Sequence, residues 1–363
     1  MTATVFLILG IVFLVVGADF LVRGASNLAA MVHISPLVIG LTVVAFGTSA
    51  PELAVSLHAT FTDQAPLAVG NVVGSNICNV LLILGSSALV APLVVAQQLI
   101  RLDVPIMIGV SGLFFLFSLD GAIGRSDGFI LFLGGLTYTL FLLYQSRRES
   151  NPEVKDEYAQ EYGPKEFAWS KVGIEVLAFL GGMACLVIGS QLLVNGAVTI
   201  AEALEINPLI IGLTIVALGT SLPELATSMV ASFRGERDIA VGNVVGSNIF
   251  NILVVLGVTS ALVPNGIAIE PSVLAFDIPV MIGVAIMCFP ICFNDNLVSR
   301  WEGLLLLVYY MAYTLYLIMK STEHDNTVMF GSALMYVIVP LTILGLTAIT
   351  LRSRLSSPRS KGL

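Results

Sequence analysis

The chain has 363 residues, of which 57% are hydrophobic and 11% charged, with a mean hydropathy of +0.96. Soluble domains carry about 25% charged residues, so this composition excludes a soluble enzyme or nucleic-acid binder and places the protein in lipid. The net charge of −8 gives no reason to expect an anionic partner such as DNA.

A spanning helix needs about 20 apolar residues. Apolar segments of that order run near residues 3–28, 37–61, 67–90, 104–120 and 128–145, and again near 172–200, 208–233, 239–262, 273–293, 302–320 and 328–350. The pattern predicts an all-α polytopic membrane protein of about 11 spans. The first segment lacks the basic start and small-residue cleavage site of a signal peptide and is read as a retained helix. Residues 145–171 form the one extended polar stretch, a linker too short for a folded regulatory domain. Cys78, Cys185, Cys288 and Cys292 all lie in apolar runs without a CxxC pair and read as small buried hydrophobes.

Lysine and arginine placement tests the span count, because cytoplasmic connections are enriched in them. With the N-terminus outside, 13 of the 16 basic residues fall on the inner side, Arg125 and Lys320 fall outside, and Arg23 sits within the first span. The expected location is the plasma (cell inner) membrane, with the C-terminus cytoplasmic.

Self-comparison shows a repeat. Residues 47–85, GTSAPELAVSLHATFTDQAPLAVGNVVGSNICNVLLILG, match residues 219–257, GTSLPELATSMVASFRGERDIAVGNVVGSNIFNILVVLG, at 24 of 39 positions without a gap. The same offset of 172 aligns GADFLVRGA at 17–25 with GSQLLVNGA at 189–197, and with small insertions Asp103 later meets Asp277. The predicted division is a first repeat over 1–144 with its motif at 40–85, a linker over 145–171, a second repeat over 172–320 with its motif at 212–257, and an extra span and basic tail over 321–363. A unit of five spans must cross the membrane in the opposite sense each time it recurs, which gives an inverted-topology repeat. That is the usual framework of secondary transporters, with the substrate site at mid-membrane where the copies meet.

The repeat keeps polar residues where they cost most. Glu52 lies about 15 residues into its 25-residue span, and Glu224 is its mate. A charge at mid-membrane costs at least about 2.5–3.5 kcal/mol on insertion scales, and two carboxylates about 5 Å apart repel by about 3 kcal/mol at an effective dielectric of 20. A metal ion or a proton should therefore sit between them, Arg23 being the sole intramembrane cation. Thr48, Ser49 and Glu52 fall on adjoining faces of one helix. Pro51 and Pro223 should free backbone carbonyls around Ala45 to Gly47 and Ala217 to Gly219. Asn71, Ser75 and Asn79 step by four along another helix, as do Asn243, Ser247 and Asn251, with packing an equal alternative for Asn71 and Asn243. This set of carboxylates, hydroxyls, amides and carbonyls suits a hard cation such as Ca2+ and disfavours zinc or copper. Asp19 reads as an ion pair with Arg23, four residues on, and Asp103 and Asp277 as either caps or parts of a cation path.

GTSxPE and GNVVGSNxxN, each present twice, resemble the alpha-repeats of the calcium/cation antiporter superfamily, most closely its prokaryotic sodium/calcium exchangers. The resemblance implies an antiporter, not an enzyme, that exchanges about three Na+ for one Ca2+ by alternating access. It implies no cofactor beyond the transported ions. The family's ligands map onto Thr48, Ser49, Glu52, Ser75 and Asn79 and onto Thr220, Ser221, Glu224, Ser247 and Asn251, with backbone oxygens at Ala45 and Ala217. It also implies that the first span of each copy slides against the rest. Some members carry aspartate at the position of Asn251, associated with K+ use, so a site charge of −2 and no K+ dependence are expected here. A proton-coupled cation exchanger is the alternative, since carboxylates that repel can also share a proton, and a channel is a more distant one.

Overall fold

The computed structural model describes residues 2–32, 34–62, 64, 66–148, 169–205, 211, 214–215, 217–263, 266–293 and 296–356. The long helices are α1 (Ala3–Met31), α2 (Pro36–Phe61), α3 (Leu67–Val90), α4 (Leu99–Asp120), α5 (Arg125–Ser146) and α6 (Lys171–Ala203), followed by α7 (Leu222–Arg234), α8 (Arg237–Leu262), α9 (Val273–Phe293), α10 (Arg300–Ser321) and α11 (Thr327–Ala348). All but α7 are long and apolar enough to span a membrane, and part of the segment predicted over 208–233 lies outside the described residues. Helices run to Arg148 and start again at Trp169, so they take up both ends of the predicted linker; residues 149–168 lie outside the described residues.

Two short antiparallel strand pairs qualify the all-helical expectation. β1 (Leu93–Val94) pairs with β4 (Leu297–Val298), and β2 (Ala122–Ile123) pairs with β3 (Ile267–Ala268). The two pairs are images of one another under the repeat, and each ties a connection of one copy to a connection of the other. The same relation recurs in the packing. A Cβ added to Gly85 of α3 would lie 2.9 Å from the Gly303 carbonyl of α10, and one added to Gly128 of α5 would lie 2.8 Å from the Gly257 carbonyl of α8. Lipid tails give helices no hydrophobic reason to associate, so close backbone approach at small residues carries the packing.

The tightest such seam joins α1 to α6. Gly10, Gly17 and Gly24 on one helix and Gly182, Gly189 and Gly196 on the other recur every seven residues. A Cβ at Gly10 would lie 2.7 Å from the Leu193 nitrogen, and one at Gly182 2.7 Å from the Leu21 nitrogen. The outward faces of this pair, among them Ile8, Val15, Phe20, Leu177 and Ile188, are exposed and apolar, as lipid contact requires. Near Gly70 and Gly74 no described residue comes within 4 Å of an added Cβ, whereas at their mates Gly242 and Gly246 the carbonyls of Leu37 and Leu41 lie at 3.0 and 2.7 Å. The residues that would face Gly70 and Gly74 by symmetry, 209 and 213, lie outside the described set.

Helix α11 has no counterpart in the repeat. It docks on α9 and α10, where Tyr309 donates to the Ile338 carbonyl at 3.3 Å. A widened π turn over Leu334–Ile338 interrupts the ordinary helical ladder there.

Candidate ion-binding site

Both copies break a helix at the same place. In α2 the turn Ala45–Thr48 ends at Ser49, whose φ of −81° and ψ of 3° leave the helical region, and the helix resumes at Ala50. In the second copy Ala217–Gly219 is followed by Ser221 at φ −87°, ψ 2° and then by α7. Pro51 and Pro223 cause the break: proline has no N–H and its ring collides with the carbonyl four residues back. Glu52 and Glu224 thereby fall in the first turn of a new helix, where the macrodipole favours a carboxylate.

The two acids are 0% and 1% exposed, and each is reached from the other copy. Ser49 donates to Glu224 Oε1 at 3.2 Å and Ser221 donates to Glu52 Oε1 at 3.3 Å. Ser75 lies 3.4 Å from Glu52 Oε1 and 3.3 Å from the Ser221 hydroxyl. Thr48 donates to Asn243 Oδ1 at 3.0 Å, and Thr220 to Asn71 Oδ1 at 3.4 Å. The amide of Asn71 donates to the Glu52 carbonyl at 3.2 Å and to Ser56 at 3.1 Å; that of Asn243 donates to the Glu224 carbonyl at 3.5 Å and to Ser228 at 3.0 Å. Asn71 and Asn243 therefore brace the broken helices, each with its amide nitrogen on the main chain of its own repeat and its amide oxygen accepting from a threonine of the other.

A group of buried oxygens has no protein partner. Glu52 Oε2, Glu224 Oε2, Asn79 Oδ1, Asn251 Oδ1 and Ser247 Oγ are all in this condition. Asn79 and Asn251 each open a π turn, over Asn79–Leu84 and Asn251–Leu256, in the middle of α3 and α8. Such turns interrupt the regular helical bonds and recur at functional sites.

Two expectations need correction. The Ala45 carbonyl is not free: it accepts the Ser49 N–H at 3.0 Å and the Thr48 hydroxyl at 3.4 Å, because the chain leaves the helix only after Ser49 has closed its bond. The Gly219 carbonyl takes the hydroxyl of Ser190 on α6, a serine whose mate in the first copy is Ala18. Arg23 keeps to the partner expected of it. It pairs with Asp19 at 3.1 Å on the exposed face of α1, and Asp19 also meets Arg234 at the end of α7. Ala217 opens the turn that matches Ala45.

Asp103 and Asp277 cap nothing. Tyr138 of α5 donates to Asp103 at 2.9 Å and Tyr313 of α10 donates to Asp277 at 3.0 Å, with Lys320 at 3.9 Å from Asp277. They fasten α4 to α5 and α9 to α10. Residue spacing alone could not reveal these pairs, since each partner lies about 35 residues away.

Comparison with known proteins bears on the fold and the family. The model of the "Sodium/calcium exchanger protein" family matches residues 2–146 and 174–319, leaving α11 outside. The chain is 41% identical over 326 residues to CaxA of Alkalimonas amylolytica, covering 88% of this chain and 100% of that one. It is 32% identical over 337 residues to the sodium/calcium exchanger MaX1 of Methanosarcina acetivorans, covering 85% and 96%. Among solved structures it superposes on NCX_Mj soaked with 2.5 mM Na+ and 10 mM Sr2+ with a TM-score of 0.73 at 29% identity, covering 86% of this chain and 98% of that one.

Proposed function

The chain belongs to the sodium/calcium exchanger family of membrane transporters, and on that premise we propose that it exchanges Na+ for Ca2+ by alternating access, about three to one. The observation that carries the reading is the set of unpartnered buried oxygens on Glu52, Glu224, Asn79, Asn251 and Ser247. Buried polar atoms need a partner, and a bound ion or an ordered water can supply one. Two carboxylates, two amide oxygens and hydroxyls make a hard-cation site of the kind Ca2+ takes with six to eight oxygens. Thr48, Ser49, Ser75, Thr220 and Ser221 surround the carboxylates and would complete the shell by rotating their hydroxyls. The second lone pair of the Ala45 and Ala217 carbonyls would supply backbone oxygens.

Packing supports alternation about this site. α1 lies along α7 and meets it at Asp19 and Arg234, whereas among the described residues its mate α6 makes hardly any contact with Ala50–Phe61. Val55 is 44% exposed while its mate Thr227 is 0% exposed. With Arg234 and the other arginine-rich connections placed in the cytoplasm, the packing around the site would be tighter on the inner side than on the outer. The α1–α6 pair, joined through its glycines, would slide as one body to reverse that asymmetry.

Two carboxylates neutralise one Ca2+, and three Na+ leave a net charge of +1, so each turnover that imports Ca2+ exports one positive charge. In Na+-loaded proteoliposomes with the potential clamped, Ca2+ uptake should rise at inside-positive and fall at inside-negative potential. Uptake that ignores the potential would point to two Na+ per Ca2+, and no uptake at all would contradict the exchange.

A further inference from the structure

Asn76 and Asn248 are the middle asparagines of GNVVGSNxxN and stand outside the ligand set. Each is 2% exposed, and each reaches across the boundary between the repeats. The Asn76 amide nitrogen donates to the Asn248 main-chain carbonyl at 3.2 Å, with Met281 Sδ at 3.7 Å, and the Asn248 amide nitrogen faces Met107 Sδ at 3.3 Å. With their nitrogens so placed, their carbonyl oxygens turn to the opposite repeat. There Asn76 Oδ1 accepts from Asn251 Nδ2 at 3.0 Å, and Asn248 Oδ1 accepts from Asn79 Nδ2 at 3.1 Å.

The consequence falls on Asn79 and Asn251. Their nitrogens are taken up, and their oxygens are left buried and unpartnered. The two ends of a carboxamide are nearly equal in shape but opposite in character: one is an acceptor, the other a pair of donors. A flipped Asn251 would remove an oxygen from the site and turn N–H groups toward a cation.

We propose that Asn76 and Asn248 are positioning residues, each of which locks the amide of the opposite repeat with its oxygen toward the transported cation. The pair thereby makes a neutral asparagine an effective ligand, and the site keeps the charge of its two glutamates alone. This inference rests on the exchange reading above.

A carboxylate has an oxygen at both ends and needs no such lock, so a double-mutant cycle isolates the role. Wild type, Asn76→Ala, Asn251→Asp and the double variant are reconstituted, and Ca2+ dependence is read from Na+-driven uptake. The Ca2+-induced thermal shift of the purified protein is read in parallel, so that a variant slow in transport still reports binding. Outer-shell partners of metal ligands are worth about 10–100-fold in affinity. Asn76→Ala should therefore raise the KM for Ca2+ by about tenfold or more with kcat changed less. With Asp at 251 the same change should cost less than about twofold, or even improve binding. The mirror cycle of Asn248→Ala with Asn79→Asp should behave alike. An equal loss in both backgrounds would overturn the positioning role and leave a structural one. A wild type that neither takes up Ca2+ nor is stabilised by it would instead overturn the exchange reading itself.

Discussion

Glu52→Gln and Glu224→Gln should each abolish Ca2+ exchange while the protein still inserts and folds. Removing one partner from a buried charged cluster costs about 3–5 kcal/mol, which at about 1.4 kcal/mol per decade weakens Ca2+ binding by roughly 100- to 5,000-fold. The sign of the stability change separates this from misfolding. The two carboxylates sit at 0% and 1% exposure beside one another's helices, with serine hydroxyls donating to them. Replacing either one removes a buried charge, so the ion-free variant should melt no lower than the ion-free wild type, and added Ca2+ should no longer raise its melting temperature. Retained uptake in either variant would remove that carboxylate from the site, and a variant that melts far lower without Ca2+ would show the residue to be structural. Glutamine keeps the size and one oxygen, which confines the change to charge.

The glycine seam between α1 and α6 should be almost as sensitive. A Cβ at Gly17 would lie 2.8 Å from the Gly182 carbonyl, and one at Gly189 2.8 Å from the Leu14 nitrogen. These are backbone atoms and cannot step aside, so Gly17→Leu or Gly189→Leu must push the two helices apart. Overpacking of this kind costs about 1–3 kcal/mol or more and lowers the melting temperature by several degrees. Exchange should be lost, because the pair can no longer move as one body. Gly181 on the same helix faces open space, with nothing within 4 Å of an added Cβ, and Gly181→Leu is the matched control. Equal behaviour of Gly17→Leu and Gly181→Leu, in melting and in transport, would sink the idea that the seam couples the helices.

Much of this was legible from the residues. The membrane class followed from composition, and the inverted repeat from a gapless match at an offset of 172, which the strand pairs β1–β4 and β2–β3 repeat in space. Glu52 and Glu224 stood out because a duplicated acid at mid-span is costly, and Pro51 and Pro223 marked the helix breaks beside them. What escaped was everything that depends on contact between the copies. That Asn71 braces while Asn79 presents an oxygen is decided by Thr220 and Asn248, both in the other repeat. Asn76 and Asn248 gave no signal of their own, since an asparagine among small residues reads as packing. A nearby proline points to the Ala45 carbonyl as a free acceptor, but where the helix ends is set by the dihedrals of Ser49. The heptad of glycines on α1 and α6 is visible in the sequence once the pairing is known, and GADFLVRGA contains two of its members.

The central claim is tested most directly by 45Ca uptake into proteoliposomes under an outward Na+ gradient, with a pH gradient of equal driving force as the alternative. Uptake should follow the Na+ gradient, disappear when Na+ is equal on both sides, and be unaffected by the pH gradient. Uptake driven only by the pH gradient would make the protein a proton-coupled exchanger, and uptake independent of both would make it a channel; either result contradicts Na+/Ca2+ exchange.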